Sequence, residues 1–226
     1  MNNLKTLVLW MALLTILMTA CDKDDIYPDS KRVIPEDYVP FVKEGKVWNY
    51  YNTSSFTSTG GLKEPEKYDM SLISCSFKIQ GDTIINNASY KKVWMQGGIY
   101  DDDLWHYDGS IREQLMKVHY IEKGRNTEEW VLDFGVKPGN KFTWDNQRWE
   151  VDNIVRMSYP ELGKSYRTIE LIGEECYCAE MWIEGIGVET GFVPFHKGMV
   201  GGLHSCYDND VCLYDKQWSF QIDNNE

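Results

Sequence analysis

The sequence predicts an all-β fold, a single antiparallel meander forming an open barrel or sandwich-like domain over residues 41–220. Three observations predict it. Short runs alternate apolar and polar residues with period two, the mark of half-buried strands. Turn-forming pairs separate those runs at short intervals. Helical periodicity is nearly absent, and no repeat of fixed spacing stands out.

Residues 1–20, "MNNLKTLVLWMALLTILMTA", place Lys5 before an apolar stretch from Leu7 to Met18 and end on the small residues Thr19 and Ala20. That order is the anatomy of a signal peptide. The apolar stretch is shorter than the roughly 20 residues that span a bilayer. "Met-Thr-Ala-Cys" (18–21) resembles the lipobox of bacterial lipoproteins, with Met18 where Leu is commoner. The resemblance implies cleavage before Cys21 and lipidation of that residue, the acyl chains being palmitate-like. Each buried methylene contributes about 0.8 kcal/mol, so several chains anchor stably where one does not. "Asp-Lys-Asp-Asp" (22–25) resembles the export signal that follows the lipidated Cys in lipoproteins of Bacteroidota. It implies an outer-membrane protein facing the cell exterior.

Residues 21–40 hold Pro28, Pro35 and Pro40 among many charges and no apolar period, which reads as the lipidated Cys followed by a flexible tether. From Phe41 the pattern changes. In "LISCSFKIQ" (72–80), Ile73, Cys75, Phe77 and Ile79 point one way, while Ser74, Ser76, Lys78 and Gln80 point the other. "Gln-Gly-Asp-Thr" (80–83) reads as the turn that follows, before "TIINNASYKKVWMQ" returns. Further runs are "EEWVLDF" (128–134), "RWEVDNIVRM" (148–157), "YRTIELI" (166–172), "CAEMWIE" (178–184) and "VCLYD" (211–215). Turn signals lie at Asp108-Gly109, Lys123-Gly124, Pro138-Gly139, Asp145-Asn146 and Asp208-Asn209. The expected core includes Trp48, Ile73, Phe77, Ile79, Val93, Trp149, Val151, Ile169, Leu171 and Ile183, and residues 221–226 form a tail.

The formal net charge is −12, from 23 Lys+Arg against 35 Asp+Glu. Nucleic acid is excluded as a partner, since its binding is dominated by basic contacts to phosphate. The membrane is met through the lipid anchor alone. Nine Trp are present. In a β-rich chain most aromatics are explained by strand packing, whereas exposed ones point to glycan stacking or protein contact.

"EGKVWNY" (44–50), "GDTIINNASYKKVW" (81–94), "VLDFGVKPGNKFTW" (131–144) and "MWIEGIGVETGFVP" (181–194) follow one another in the chain. Their order resembles a pattern recurring in secreted and lipid-anchored proteins of Bacteroidota. The likeness covers most of residues 44–214, its motifs are structural turns, and it carries no activity and no catalytic residue across.

No motif for chemistry is legible. "GIGVETG" (185–191) lacks dinucleotide-loop spacing and a following helix, so its glycines read as a sharp connection between strands. Ser89 and Lys92 have the Ser-x-x-Lys spacing, but on a strand they fall on opposite faces. Gly-x-Ser-x-Gly, His-Glu-x-x-His and a Walker loop do not occur. His106, His119, His196 and His204 lack ligand spacing. Asp101–Asp103 and Asp208–Asp210 offer oxygens to calcium without completing a calcium loop. No metal and no cofactor is therefore expected. In "CYDNDVC" (206–212), Cys206 and Cys212 read as facing each other across a hairpin, a candidate disulfide for an oxidising envelope. Cys176 and Cys178 share a face of their strand, so they do not easily bond each other. Cys75 is open to pairing with either, or to staying a buried thiol.

The stretch "GGIYDDDLWHYDG" (97–109) mixes aromatics with acids on a loop of a β scaffold, where binding commonly resides. Tyr100, Asp102, Trp105 and Tyr107 are the candidate ligand-binding residues. The expectation is a non-catalytic envelope lipoprotein, surface-exposed, binding or interacting with an unknown glycan or protein ligand. Two alternatives stand beside it: a glycan-binding accessory protein of a polysaccharide-utilisation system, and a hydrolase whose site assembles from distant strands. A row of exposed aromatics along one face favours sugar; an isolated apolar patch favours protein.

Overall fold

A computed structural model describes residues 32–51, 73–100, 102–144, 146–174, 178–188, 190–192, 202–216 and 221–222. The expected lipidation site Cys21 and the acidic stretch after it lie outside these residues. The described residues are all-β, with a single 3-10 turn at Pro160–Leu162 and no α-helix. The strands are β1 (Lys46–Tyr51), β2 (Ile73–Ile85), β3 (Ala88–Gly97), β4 (His106–Gln114), β5 (Lys117–Glu122), β6 (Glu129–Asp133) and β7 (Lys141–Trp144). They continue with β8 (Gln147–Tyr159), β9 (Lys164–Gly173), β10 (Ala179–Ile183), β11 (Gly187–Val188), β12 (Leu203–Asp208), β13 (Val211–Asp215) and β14 (Gln221–Ile222).

Two antiparallel sheets result. An eight-stranded half-barrel runs β13-β12-β1-β2-β3-β4-β5-β6, and a six-stranded sheet runs β11-β10-β9-β8-β14 with β7 also on β8. The meander is interrupted once in the larger sheet, where β12 returns from far along the chain to pair with β1.

Two-residue turns with left-handed backbone set the hairpins. Asn86-Asn87 (φ 51° and 65°) joins β2 to β3, and Asn209-Asp210 (φ 47° and 69°) joins β12 to β13. Both central residues at positive φ is the type I′ arrangement, whose twist matches the flanking strands, and Asn or Asp tolerates it best. The turn expected at 80–83 is instead a bulge inside β2: Gly81 sits at φ 86° where the register slips between Ile79 and Asp82. Asp108-Gly109 is likewise inside β4. A Cβ on Gly109 would lie 2.3 Å from the Tyr120 hydroxyl, so the glycine is there for close packing.

The disulfide expected between Cys206 and Cys212 does not form; both are free thiols. The turn pairs Asp208 with Val211 and Tyr207 with Cys212, while a bulge sets Cys206 opposite Tyr214. Cys206 therefore faces the core, and Cys212 lies beside Tyr207 on the other face.

The expected core residues are buried, except Ile73, whose side chain lies outside the described set. Aromatic rings organise the interior in two groups. Phe41, Trp48, Phe77 and Phe192 meet at one end, with Phe77 and Phe192 stacked at 4.7 Å and Trp48 edge-on to Phe192 at 4.8 Å. Phe142, Trp144, Trp149 and Trp182 meet at the other, at 5.3 to 5.7 Å. Such pairs add about 0.5–1.5 kcal/mol each beyond the area they bury.

The packed body reaches back past the expected start at residue 41. Arg32 makes a bidentate bond to Asp133 (2.5 and 2.6 Å), with both side chains 1% exposed. Tyr38 donates its hydroxyl to Glu113, and the Val39 amide donates to Glu184. Residues 32–40 are thus laid against the domain, which the charge-rich composition of the segment concealed. The turn-rich stretches of the sequence meet around it. Lys46 Nζ, in the body of the protein, donates to the carbonyls of Pro40 (2.5 Å), Phe41 (3.2 Å) and Gly185 (2.6 Å), and Trp48 Nε1 donates to Ile186 (2.6 Å). "EGKVWNY" and "WIEGIG" are therefore two halves of one structural joint.

Candidate functional site

The outward positions of β12, β1, β2, β3 and β4 line up across the half-barrel. The registers place Tyr207 beside Val47, Val47 beside Lys78, Lys78 beside Trp94, and Trp94 beside Tyr107. Alternation puts this row opposite the core-facing Trp48, Phe77 and Val93. With neighbouring strands about 4.8 Å apart, the row is about 19 Å long. A parallel row holds Ser205, Asn49, Ser76 and Gln96. Three of its members are hydrogen-bonded in series: Ser76 Oγ donates to Asn49 Oδ1 (2.7 Å), and Asn49 Nδ2 donates to Ser205 Oγ (3.0 Å).

The loop between β3 and β4 folds onto the β4 end of this face. Trp105 lies against the ammonium of Lys78, whose Nζ is 4.2 Å from the ring centroid. Trp94 and Tyr107 meet edge-on at 5.9 Å, and the Trp94 indole N–H donates to the Gln80 carbonyl (2.8 Å). Tyr107 and Ser110 share a hydrogen bond of 2.7 Å. Tyr100 stacks on His106 at 3.9 Å, 13° from parallel, and the Asp102 carboxylate accepts from His106 Nε2 at 2.6 Å. Gln96 Nε2 donates to the Asp103 carbonyl at 2.5 Å, tying loop to strand. The four residues expected from the sequence thus divide. Trp105 and Tyr107 join the row through Lys78 and Trp94, while Tyr100 and Asp102 form a rim around His106.

The electrostatics follow from these contacts. The hydrogen bond from His106 holds the Asp102 carboxyl below the usual carboxylate range. Partial burial lowers the Lys78 ammonium from its ordinary value. Among the described residues no hydroxyl or thiol is hydrogen-bonded to His106, whose Nε2 meets Asp102. The thiols of Cys75 and Cys206 are pushed up to about 12 by burial, away from nucleophilic use. No group of His, Cys, Asp or Glu converges as a metal site among the described residues.

A concavity of about 320 Å³ lies on the six-stranded sheet and is lined by Glu150, Asp152, Ile172, Gly173 and Glu174. Two of its carboxylates are already bridged by Lys141, at 3.0 Å from Glu150 and 2.8 Å from Glu174, and it offers no aromatic face.

Lys78, Trp94, Gln96, Asn49 and Ser76 were not singled out by sequence. The signal for the strand residues was alternation: extending period two through 88–97 puts Tyr90, Lys92, Trp94 and Gln96 on the outer face with Lys78. No family model, no curated protein and no solved structure matches the chain.

Proposed function

We propose that the chain is a lipid-anchored cell-envelope protein, displayed on the cell exterior, that binds carbohydrate on the outer face of the half-barrel and carries out no catalysis. The observation that carries this reading is how the indoles are distributed. Trp48, Trp144, Trp149 and Trp182 are buried in the core. Trp94 and Trp105 are half-buried and flank Lys78 on one face, with Tyr107 beside them. Aromatic faces carry negative quadrupole density, which favours the C–H edges of a sugar ring laid flat on them. The adjoining Asn49, Ser76 and Gln96 supply donors and acceptors for hydroxyl groups. A row about 19 Å long suits a chain of several sugar rings rather than one.

Affinity electrophoresis of the protein in gels containing a panel of polysaccharides tests this. Retardation by at least one glycan, lost in Trp94→Ala with Trp105→Ala, is expected. No retardation by any glycan, or retardation unchanged in the double variant, removes the carbohydrate reading. The anchor has its own test: labelled palmitate enters the wild type and not Cys21→Ala, and protease on intact cells digests the domain.

A protein ligand is the second reading. Ile99 and Leu104 are 63% and 65% exposed in the same loop, a small apolar pair at the rim.

A further inference from the structure

We infer that the carbohydrate bound on this face is anionic, a chain carrying carboxylate or sulfate groups. The inference rests on the carbohydrate reading above and names its ligand class.

The carrying observation is a difference among basic side chains. Many of the others in the described residues are matched to acids, among them Lys43 with Asp208 (2.6 Å), Lys91 with Asp82 (2.7 Å), Lys141 with Glu174 (2.8 Å), Arg125 with Glu122 (2.7 Å) and Arg156 with Asp37 (2.9 Å), while Lys46 and Lys164 spend their ammonium groups on backbone carbonyls. In a chain with 35 acids for 23 bases, an acid is rarely far away. Lys78 and Lys92 make no ion pair within the described residues, and both are half-buried on the aromatic face. Their placement is specific. Lys78 is the cross-strand partner of Trp94. Lys92 precedes Trp94 by two residues, on the same face of the same strand. The indole that would stack a sugar is thus flanked by two ammonium groups.

The Lys78 ammonium is also aimed. It sits against the Trp105 ring at 4.2 Å, an arrangement that fixes its position and strips part of its hydration without neutralising it. A cation in that state gains from an incoming anion what a fully hydrated lysine does not. Among the described residues, no loop acid supplies that anion. Asp102 is engaged by His106 and by the Leu104 amide (3.2 Å), and Asp108 accepts from the Tyr120 hydroxyl. A neutral sugar would leave both ammonium groups as they are. A uronate or sulfate ester on the ring stacked at Trp94 would pair with one or both.

Titration calorimetry with the full lipidated chain in detergent micelles tests the inference. The probes are oligogalacturonate for carboxylate, chondroitin sulfate and its chemically desulfated form for sulfate, and a neutral galactan. One acidic chain is expected to bind at least tenfold tighter than the neutral galactan, with affinity falling as sodium chloride is raised. Tighter binding of oligogalacturonate identifies carboxylate; loss of affinity on desulfation identifies sulfate. Lys78→Gln and Lys92→Gln should each weaken the acidic chain about tenfold, and Lys78→Arg should restore most of it. Melting curves that match the wild type confirm that these outward substitutions leave the fold intact. If neutral and acidic chains bind equally, and Lys78→Gln changes neither, the anionic inference fails while the carbohydrate reading stands. If no chain binds at all, both fail.

Discussion

Replacing Arg32 with Ala leaves the Asp133 carboxylate buried without its bidentate partner. Both side chains are 1% exposed, and the two bonds measure 2.5 and 2.6 Å. Removing one partner of such a pair costs about 3–5 kcal/mol, because a charge is left in a poorly solvating place. Two groups soften the loss: the Gly135 amide still donates to Asp133 at 2.9 Å, and Lys117 Nζ stands 4.0 Å away. The lower end, about 3 kcal/mol, is therefore expected. For a domain of this size that lowers Tm by about 6–12 °C. Urea unfolding followed by tryptophan fluorescence is the assay, with the midpoint falling and the slope unchanged. Arg32→Met combined with Asp133→Leu should lose less than Arg32→Ala alone, since no charge is stranded. A chain beginning at Phe41 should be destabilised at least as much as Arg32→Ala. Were Arg32→Ala within about 0.5 kcal/mol of wild type, the segment before residue 41 would be peripheral and the reasoning refuted.

Acid and thiol chemistry supply two further predictions. The Arg112 guanidinium, with help from the Tyr90 hydroxyl, holds the Glu128 carboxyl at about 2. Its folded value lies below the unfolded value of about 4.3, so the stability it adds is present above that pH and is lost as pH falls toward about 2. Tm measured against pH should therefore fall more steeply below pH 4.3 in the wild type than in Glu128→Gln; parallel profiles would contradict the assignment. Burial pushes the Cys75 and Cys206 thiols up to about 12, while Cys212 is only half-buried. Iodoacetamide on the native protein should label Cys212 well before the other two, read by peptide mass spectrometry, and a linked Cys206–Cys212 peptide should be missing.

Fold class was legible because β2 alternates so strictly: Phe77 and Ile79 face the core, and Ser76 and Lys78 face out. Turn positions were legible only where residue chemistry decided them. Asn146 and Asn209 both take positive φ (58° and 47°) between strands, within the expected turn pairs Asp145-Asn146 and Asp208-Asn209. Leu115-Met116 carries no such signal, yet both residues take positive φ (52° and 66°), and Met116 is buried there. Packing around Arg32, whose Nη1 donates to the Leu115 carbonyl, accompanies a backbone that residue type alone disfavours. Gly81 and Gly109 misled in the opposite direction, since a bulge and a close ring contact use glycine as readily as a turn does.

The site was half legible for a related reason. Trp105 and Tyr107 stood out as aromatics among loop acids, but their partners Lys78 and Trp94 come from neighbouring strands. Which residues meet across strands depends on register, and bulges shift it between Ile79 and Asp82 and again between Val93 and Trp94. A one-residue slip exchanges the two faces of a strand, so those partners emerge only once the bulges are placed. Residues of 32–40 reach the domain through matched partners that composition does not reveal: Arg32 meets Asp133, and the Tyr38 hydroxyl meets Glu113.

The most direct test of the central claim reads the indole N–H resonances of an isotope-labelled protein during titration with the polysaccharide it retains. A ligand on the outer face of the half-barrel should shift the Trp94 and Trp105 resonances in proportion to saturation. Those of Trp48, Trp144, Trp149 and Trp182, which are buried, should hold still. Saturable binding that leaves Trp94 and Trp105 unmoved would place the ligand elsewhere and contradict the account.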